Sequence, residues 1–243
     1  MIPASLLFAC LFALVHLGIG WMRFLDQAPR SRWLSAAGGV AVAYIFLHVL
    51  PELATHQQTF AEALNTTDAT AEALVYSLSL AGLVVFYGLE RAIRVSRKQM
   101  AAAGRGGMPH AGAFWLHIGS FAVYNVIIGY LLLHREEPGL QSLTIYGIAM
   151  ALHFVTNDFG LRQDHQIRYD RIARWIIAGA VLAGWVLGRA VDVPETWVAM
   201  LFAFIAGGVV LNVLKEELPE ERESRLWPFV GAAAAYGVLL MAA

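Results

Sequence analysis

The sequence predicts an all-α integral membrane protein of eight transmembrane helices, arranged as a 3+2+3 inverted repeat. Three observations carry this reading. Hydrophobic residues fill 58% of the 243 positions and charged residues 14%, with a mean hydropathy of +0.59, a balance that a soluble domain of this length does not need. Eight apolar runs are each long enough to cross about 30 Å of hydrocarbon, which takes roughly 20 helical residues. Of the 17 lysines and arginines, all but Arg135 and Arg189 fall in alternate connections between those runs, the asymmetry expected of cytoplasmic loops.

The runs are 2–22, 33–53, 73–93, 113–133, 143–161, 174–190, 197–214 and 226–243. The first opens Met1-Ile2-Pro3 without a basic region, and no small-residue cleavage pattern follows, so it reads as a retained span. The charge asymmetry places both termini outside and the 94–112 loop in the cytoplasm. Loop 54–72 is polar and acidic and falls outside; the stretch from Met100 is Gly-rich and reads as a flexible loop. A bacterial inner membrane or a plasma membrane is the expected location. The whole chain, 1–243, forms one transmembrane domain on this reading.

Several classes are excluded. The single cysteine, Cys10, lies in an apolar run and rules out an intramolecular disulfide. Zinc-finger spacings, phosphate-binding glycine loops and basic patches are absent, so no nucleic-acid partner is expected. The partners are the lipid bilayer and a small ion or solute.

An internal repeat supports the architecture. Span 2 reads AGGVAVAYIFLHVLPE from Ala37, and span 7 reads AGGVVLNVLKEELPE from Ala206. The charge rule runs these two spans in opposite directions, as an inverted repeat requires. Repeat 1 then covers spans 1–3 (about 2–93), repeat 2 covers spans 6–8 (about 174–243), and spans 4 and 5 (about 113–161) stand between them. Gly184 and Gly188 form a small-xxx-small pair that lets another helix approach closely, within the chain or in a homodimer.

Polar groups inside the spans mark the candidate site. Span 5 carries His153, Asn157 and Asp158, and span 4 carries Asn125 near its middle. An ionisable group at mid-membrane costs about 2.5–3.5 kcal/mol on insertion scales, so it faces the protein interior and often serves function. At ~100° per residue, His153 and Asn157 share one face while Asp158 points away, nearer the helix end. The plainer reading is that these groups only hold a neighbouring helix. Tyr124, His117 and Ser120 extend the polar positions of span 4. His48 and Glu52 in span 2, with Asn212 and Glu216 in span 7, sit where an entrance and an exit would lie. His16 in span 1 reads as an internally bonded polar residue.

The two AGGV…LPE motifs, the eight spans and the long inside loop after span 3 resemble the ZIP (Zrt/Irt-like) divalent-metal transporters over nearly the whole chain. The resemblance implies a ZIP-like bundle with a metal path between spans 4 and 5. The family's span 4 motif falls on Tyr124-Asn125-Val126-Ile127-Ile128-Gly129, where Asn125 and Gly129 match, Tyr124 replaces a histidine and Ile128 replaces a carboxylate. The span 5 motif falls on His153-Phe154-Val155-Thr156-Asn157-Asp158. There His153 and Asp158 match, Phe154 replaces an acid and Asn157 replaces a histidine or glutamate. Zinc and similar ions favour three or four imidazole, thiolate or carboxylate ligands, so this set predicts weak, transient binding of a divalent ion at His153, Asn157, Asn125 and Asp158 and no resident cofactor.

The functional expectation is therefore a non-enzymatic membrane transporter for a divalent metal ion or another small solute. The alternative is a ZIP-like protein that does not transport and acts as a sensor, regulator or scaffold. A membrane-embedded metallohydrolase ranks last, because no nucleophile signature accompanies the dispersed histidines.

Overall fold

A backbone surrounded by lipid must satisfy its polar groups internally, so long apolar runs fold as helices. The computed structural model describes residues 2–25, 31–104, 109–135, 139–165, 167–217 and 225–242, and among them every regular element is helical. In chain order these are α1 (Ile2–Gly18), α2 (Arg32–Tyr44), α3 (Leu50–Ala63), α4 (Asp68–Ala102), α5 (Ala111–Leu131), α6 (Leu140–His165), α7 (Arg174–Ala190), α8 (Glu195–Glu217) and α9 (Leu226–Met241).

Among the described residues, six continuous helical stretches are long and apolar enough to cross a membrane: Ile2–Trp21, Arg32–Ala63, Asp68–Ala102, Ala111–Leu131, Tyr169–Ala190 and Glu195–Lys215. α9 is apolar but shorter. The chain is a multi-pass membrane protein. Leu7, Leu14, Leu80, Val84, Val123 and Val186 point outward, an exterior suited to hydrocarbon. Trp21, Trp33, Trp115, Trp175, Trp197 and Trp227 are also exposed, each within about one turn of a helix end, where aromatic residues meet the membrane interface.

Two expected loops turn out to be largely helical. Residues 54–63 continue α3 and α4 begins at Asp68, because Ala, Gln and Glu dominate this segment and are good helix formers. The turn between them is compact. Asn65 adopts φ 47°, Thr66 N–H donates to Ala61 O at 3.0 Å and Asn65 N–H to Glu62 O at 3.3 Å, the paired bonds of a Schellman C-cap. Likewise α4 runs on to Ala102 through a basic, alanine-containing stretch that the sequence reading assigns to the cytoplasmic loop. Between α2 and α3 the helix widens to a π turn at Ile45–Val49, with Leu50 N–H reaching Ile45 O. Pro51 has no N–H to offer and crowds the preceding carbonyls, which accounts for the wider turn.

The helices gather into two compact units. One holds Met1–Gln27 and Gly88–Val191, and the other Ala28–Tyr87 and Asp192–Ala243. α1 thus joins α5, α6 and α7, while α2, α3, α8 and α9 form the other group; α4 enters both units, changing at Gly88.

Glycine crossings set the pairings inside each unit. In the first, a Cβ on Gly129 would overlap the carbonyl oxygen of Val181, and a Cβ on Gly184 would overlap that of Val126. The contact is reciprocal: each glycine meets the carbonyl three residues before the other. Farther along, His134 Nε2 donates to Gly188 O at 3.0 Å, so α5 and α7 run in the same direction. The small-xxx-small pair of α7 therefore receives α5.

The second unit repeats the device. A Cβ on Gly82 would overlap Phe204 O, and one on Gly207 would overlap Ser79 O, again three residues before the partner glycine. Gly39 meets Phe229 O on α9 in the same manner. Arg225 N–H donates to Ser35 Oγ at 3.0 Å and Gly237 lies against Leu47, so α2 and α9 also run in the same direction. The AGGV sequences thus supply glycine at backbone crossings, where small residues let dispersion act over a large contact.

Alanine at Gly82, Gly129, Gly184 or Gly207 must push two backbones apart, a cost of about 1–3 kcal/mol by the usual penalty for overpacking. Thermal unfolding in detergent is expected to fall at each of these sites and to stay near wild type for Gly119→Ala and Gly179→Ala, which have open space. Equal midpoints for both sets would remove the crossings as the basis of helix pairing.

Candidate functional site

His16, on α1, is the hub of the buried polar groups in the first unit. Its Nδ1 lies 2.6 Å from Asp158 Oδ2 of α6, and its Nε2 lies 2.9 Å from Asn125 Oδ1 of α5. All three residues are fully buried. Asn125 Nδ2 donates to Phe121 O at 2.9 Å, which fixes the amide with its oxygen toward His16. The Asn125 oxygen can only accept, so His16 Nε2 carries a proton, while Nδ1 shares one proton with the Asp158 carboxyl across a short contact. A buried acid–base pair capped by an amide oxygen results.

Helix geometry explains the arrangement. Asp158 points away from the His153/Asn157 face of α6 and therefore reaches α1. Phe154 seals one side of the pair, its ring centroid 4.6 Å from that of His16 and 5.1 Å from that of Phe12. Asp158 Oδ1 and the Tyr169 hydroxyl are both buried without a hydrogen-bond partner among the described residues. The Gly147 site lets Phe8 lie directly on α6, and Trp185 Nε1 donates to Ser5 Oγ at 3.0 Å, so α1 is clamped to α6 and α7 around this centre.

The other face of α6 holds a second pair. Tyr124 Oη lies 3.1 Å from His153 Nε2, and the two rings meet edge to face. His153 Nδ1 and Asn157 Nδ2 are buried and have no hydrogen-bond partner among the described residues. Thr156 Oγ1 bonds back to His153 O at 2.9 Å and stays out of the site.

Toward the ends of α5 and α6 lies a third group. His117 Nδ1 is 2.9 Å from His165 Nε2, and His117 Nε2 is 3.3 Å from Glu90 Oε1 on α4. All three side chains are buried. Arg97 pairs with Asp164 beside them, and Arg168 covers the ring of Phe114 at 5.7 Å. Phe121 separates this group from Tyr124, with ring centroids 5.0 Å from His117 and 6.1 Å from Tyr124.

The sequence-selected residues fare unequally. Asn125 and Asp158 meet in one cluster, but through His16 and not through His153. Tyr124 joins His153, while Asn157 stays on that face with its Nδ2 unbonded among the described residues. Ile128, where the ZIP resemblance places a carboxylate, is core. Ser120 spends its hydroxyl on His117 O at 2.7 Å. His48 and Glu52 pair at 3.5 Å, and Asn212 is buried with neither amide atom bonded; these belong to the other unit. The side chain of Glu216 lies outside the described residues. His16, Glu90 and His165 are the participants the sequence reading undervalued. A lone histidine in an apolar span, with no polar helical neighbour, was the available signal for His16.

Among the described residues no three His, Cys, Asp or Glu side chains converge as a metal-binding group. What the first cluster offers a cation is one carboxylate, one amide oxygen and one imidazole, the last only after His16 loses a proton.

Removing one member of a buried ion pair leaves the other uncompensated, at a cost of about 3–5 kcal/mol. His16→Phe and Asp158→Asn are each expected to destabilise the protein by that order in detergent unfolding. The double variant should lose less than their sum by on the order of 1–3 kcal/mol, and strict additivity would show that the two residues are not coupled. No protein-family model and no curated protein matches this chain.

Proposed function

We propose that this chain is a ZIP-like membrane transporter of a small cation, with a divalent metal ion as the leading cargo, and that the cation passes through the cluster on α1, α5 and α6. One observation carries the reading: the fully buried His16–Asp158 pair, 2.6 Å apart, with the Asn125 carbonyl oxygen on its far side. Ionisable residues in an apolar bundle are retained at a cost, and they mark ion and proton pathways. An incoming cation would take Asp158 and Asn125 oxygen and, on deprotonation, the His16 nitrogen. Cargo and proton then compete for one site. His153 and Asn157, with Tyr124, would line the approach on the other face of α6.

The proposed architecture is the eight-span, 3+2+3 inverted repeat with both termini outside. Its support is the distribution of lysine and arginine and the equivalent glycine crossings of the two AGGV motifs. Five of the exposed tryptophans, Trp21, Trp33, Trp115, Trp175 and Trp227, also sit at helix ends beside the basic connections, as an interfacial belt on that side requires.

A second reading, a ZIP-like sensor, regulator or scaffold that does not transport, is favoured by one specific observation. Both nitrogens of His16 and the Asn125 amide nitrogen are satisfied within the chain, which suits a structural lock as well as a carrier.

Uptake of zinc, cadmium, iron and manganese into proteoliposomes decides between them. Transport predicts flux of at least one metal that rises with external pH. It also predicts a fall of about tenfold or more in Asp158→Asn and His16→Ala, each a loss exceeding about 1.4 kcal/mol in barrier terms. Absence of flux for every metal in the folded wild type leaves the non-transporting reading.

A further inference from the structure

The Glu90–His117–His165 group has no part in the proposed cargo cluster, yet it forms a directed chain. Consider Glu90 ionised. Its carboxylate can only accept, so His117 presents Nε2–H toward it at 3.3 Å. Neutral His117 then has a bare Nδ1, which must accept from His165 Nε2–H at 2.9 Å. Neutral His165 is left with a bare Nδ1, and that buried atom has no hydrogen-bond partner among the described residues. The polarity of the whole chain thus follows from the charge on one carboxylate.

We infer that Glu90 is a proton-loading site reached through His117 and His165, a protonic site distinct from the His16–Asp158 cluster. A proton binds His165 Nδ1; the proton on His165 Nε2 moves to His117 Nδ1; the proton on His117 Nε2 moves to Glu90 Oε1. One proton enters, one comes to rest, and both rings are neutral before and after, with their tautomers exchanged. Glu90 changes from carboxylate to carboxylic acid and then donates back to His117 Nε2. The Glu90–His117 contact stands at ion-pair distance without hydrogen-bond alignment, so the last transfer requires the two side chains to turn toward each other.

The surroundings favour loading of the carboxylate over charging of a ring. Burial first, then His117, Arg97 and Arg168, disfavour an imidazolium at His165 against the opposite pull of Glu90, while Asp164 is engaged by Arg97. A positive charge on His117 would likewise face His165 across a single hydrogen bond. Phe121 stands between His117 and Tyr124. The relay needs no cargo and does not depend on the transport reading.

Nitrogen NMR of the histidine-labelled, full-length wild type in lipid tests it. The two rings share a nitrogen–nitrogen hydrogen bond, so coupling across that bond identifies them without any variant. Acidification from about pH 8 to about pH 4, spanning the ordinary carboxyl and imidazole ranges, is expected to convert both rings from Nε2–H to Nδ1–H with neither becoming imidazolium. In Glu90→Gln the proton has no resting place, and acidification should charge one ring instead. An imidazolium at either position in the wild type, unchanged tautomers throughout, or a Glu90→Gln titration identical to wild type would each overturn the inference.

Discussion

A charge held away from water must find its counter-charge inside the protein, and in this chain Asp158 imposes that condition on three helices at once. The Asp158 carboxyl sits on the face of α6 that turns toward α1, where His16 Nδ1 meets it at 2.6 Å. His16 in turn needs an acceptor for its second N–H, and Asn125 on α5 supplies one, itself oriented by the Phe121 carbonyl. Each link is a donor matched to an acceptor. Losing any one leaves a buried polar group unsatisfied, which costs more than the bond contributes.

Polar matching alone does not bring helices close enough. In a bilayer the exterior is as apolar as the packed interior, so burial of leucine or valine offers little drive for association. Glycine crossings provide the approach, placing backbone against backbone at Gly129 and Gly184 in one unit and at Gly82 and Gly207 in the other. In both crossings a helix carbonyl occupies the space a Cβ would need. With α5 and α7 drawn together in this way, and Phe8 lying on Gly147, α1 is held where His16 can reach both partners.

Two buried protonic systems then coexist in the first unit, and chemistry separates them. The His16–Asp158 cluster joins an acid and a base across one short, fully buried contact. The Glu90–His117–His165 chain moves one proton with no charge on its rings. Phe121 stands between this chain and Tyr124, while Phe154 closes the side of His16. At the positions where the ZIP resemblance calls for ligands, aromatic and aliphatic side chains instead partner or seal the polar ones, as Tyr124 does for His153 and Phe154 for His16.

The primary structure by itself determined the class of the molecule. Apolar runs of membrane-spanning length dictate helices, because backbone amides in hydrocarbon have no other partners, whereas the continuation of α3 to Ala63 and of α4 to Ala102 past the expected span ends came with the structure. It also singled out Asn125, His153, Asn157 and Asp158 as residues too polar for their surroundings. What it could not express is which of them meet. Periodicity places residues on the faces of one helix and says nothing about which other helix lies against that face. Hence the pairing of Asp158 with His16, 142 positions away, and of His117 with His165 came only from tertiary packing. Backbone crossings at a few glycines decide those neighbours, and a hydrogen bond between distant helices exists only after the crossings have set their separation.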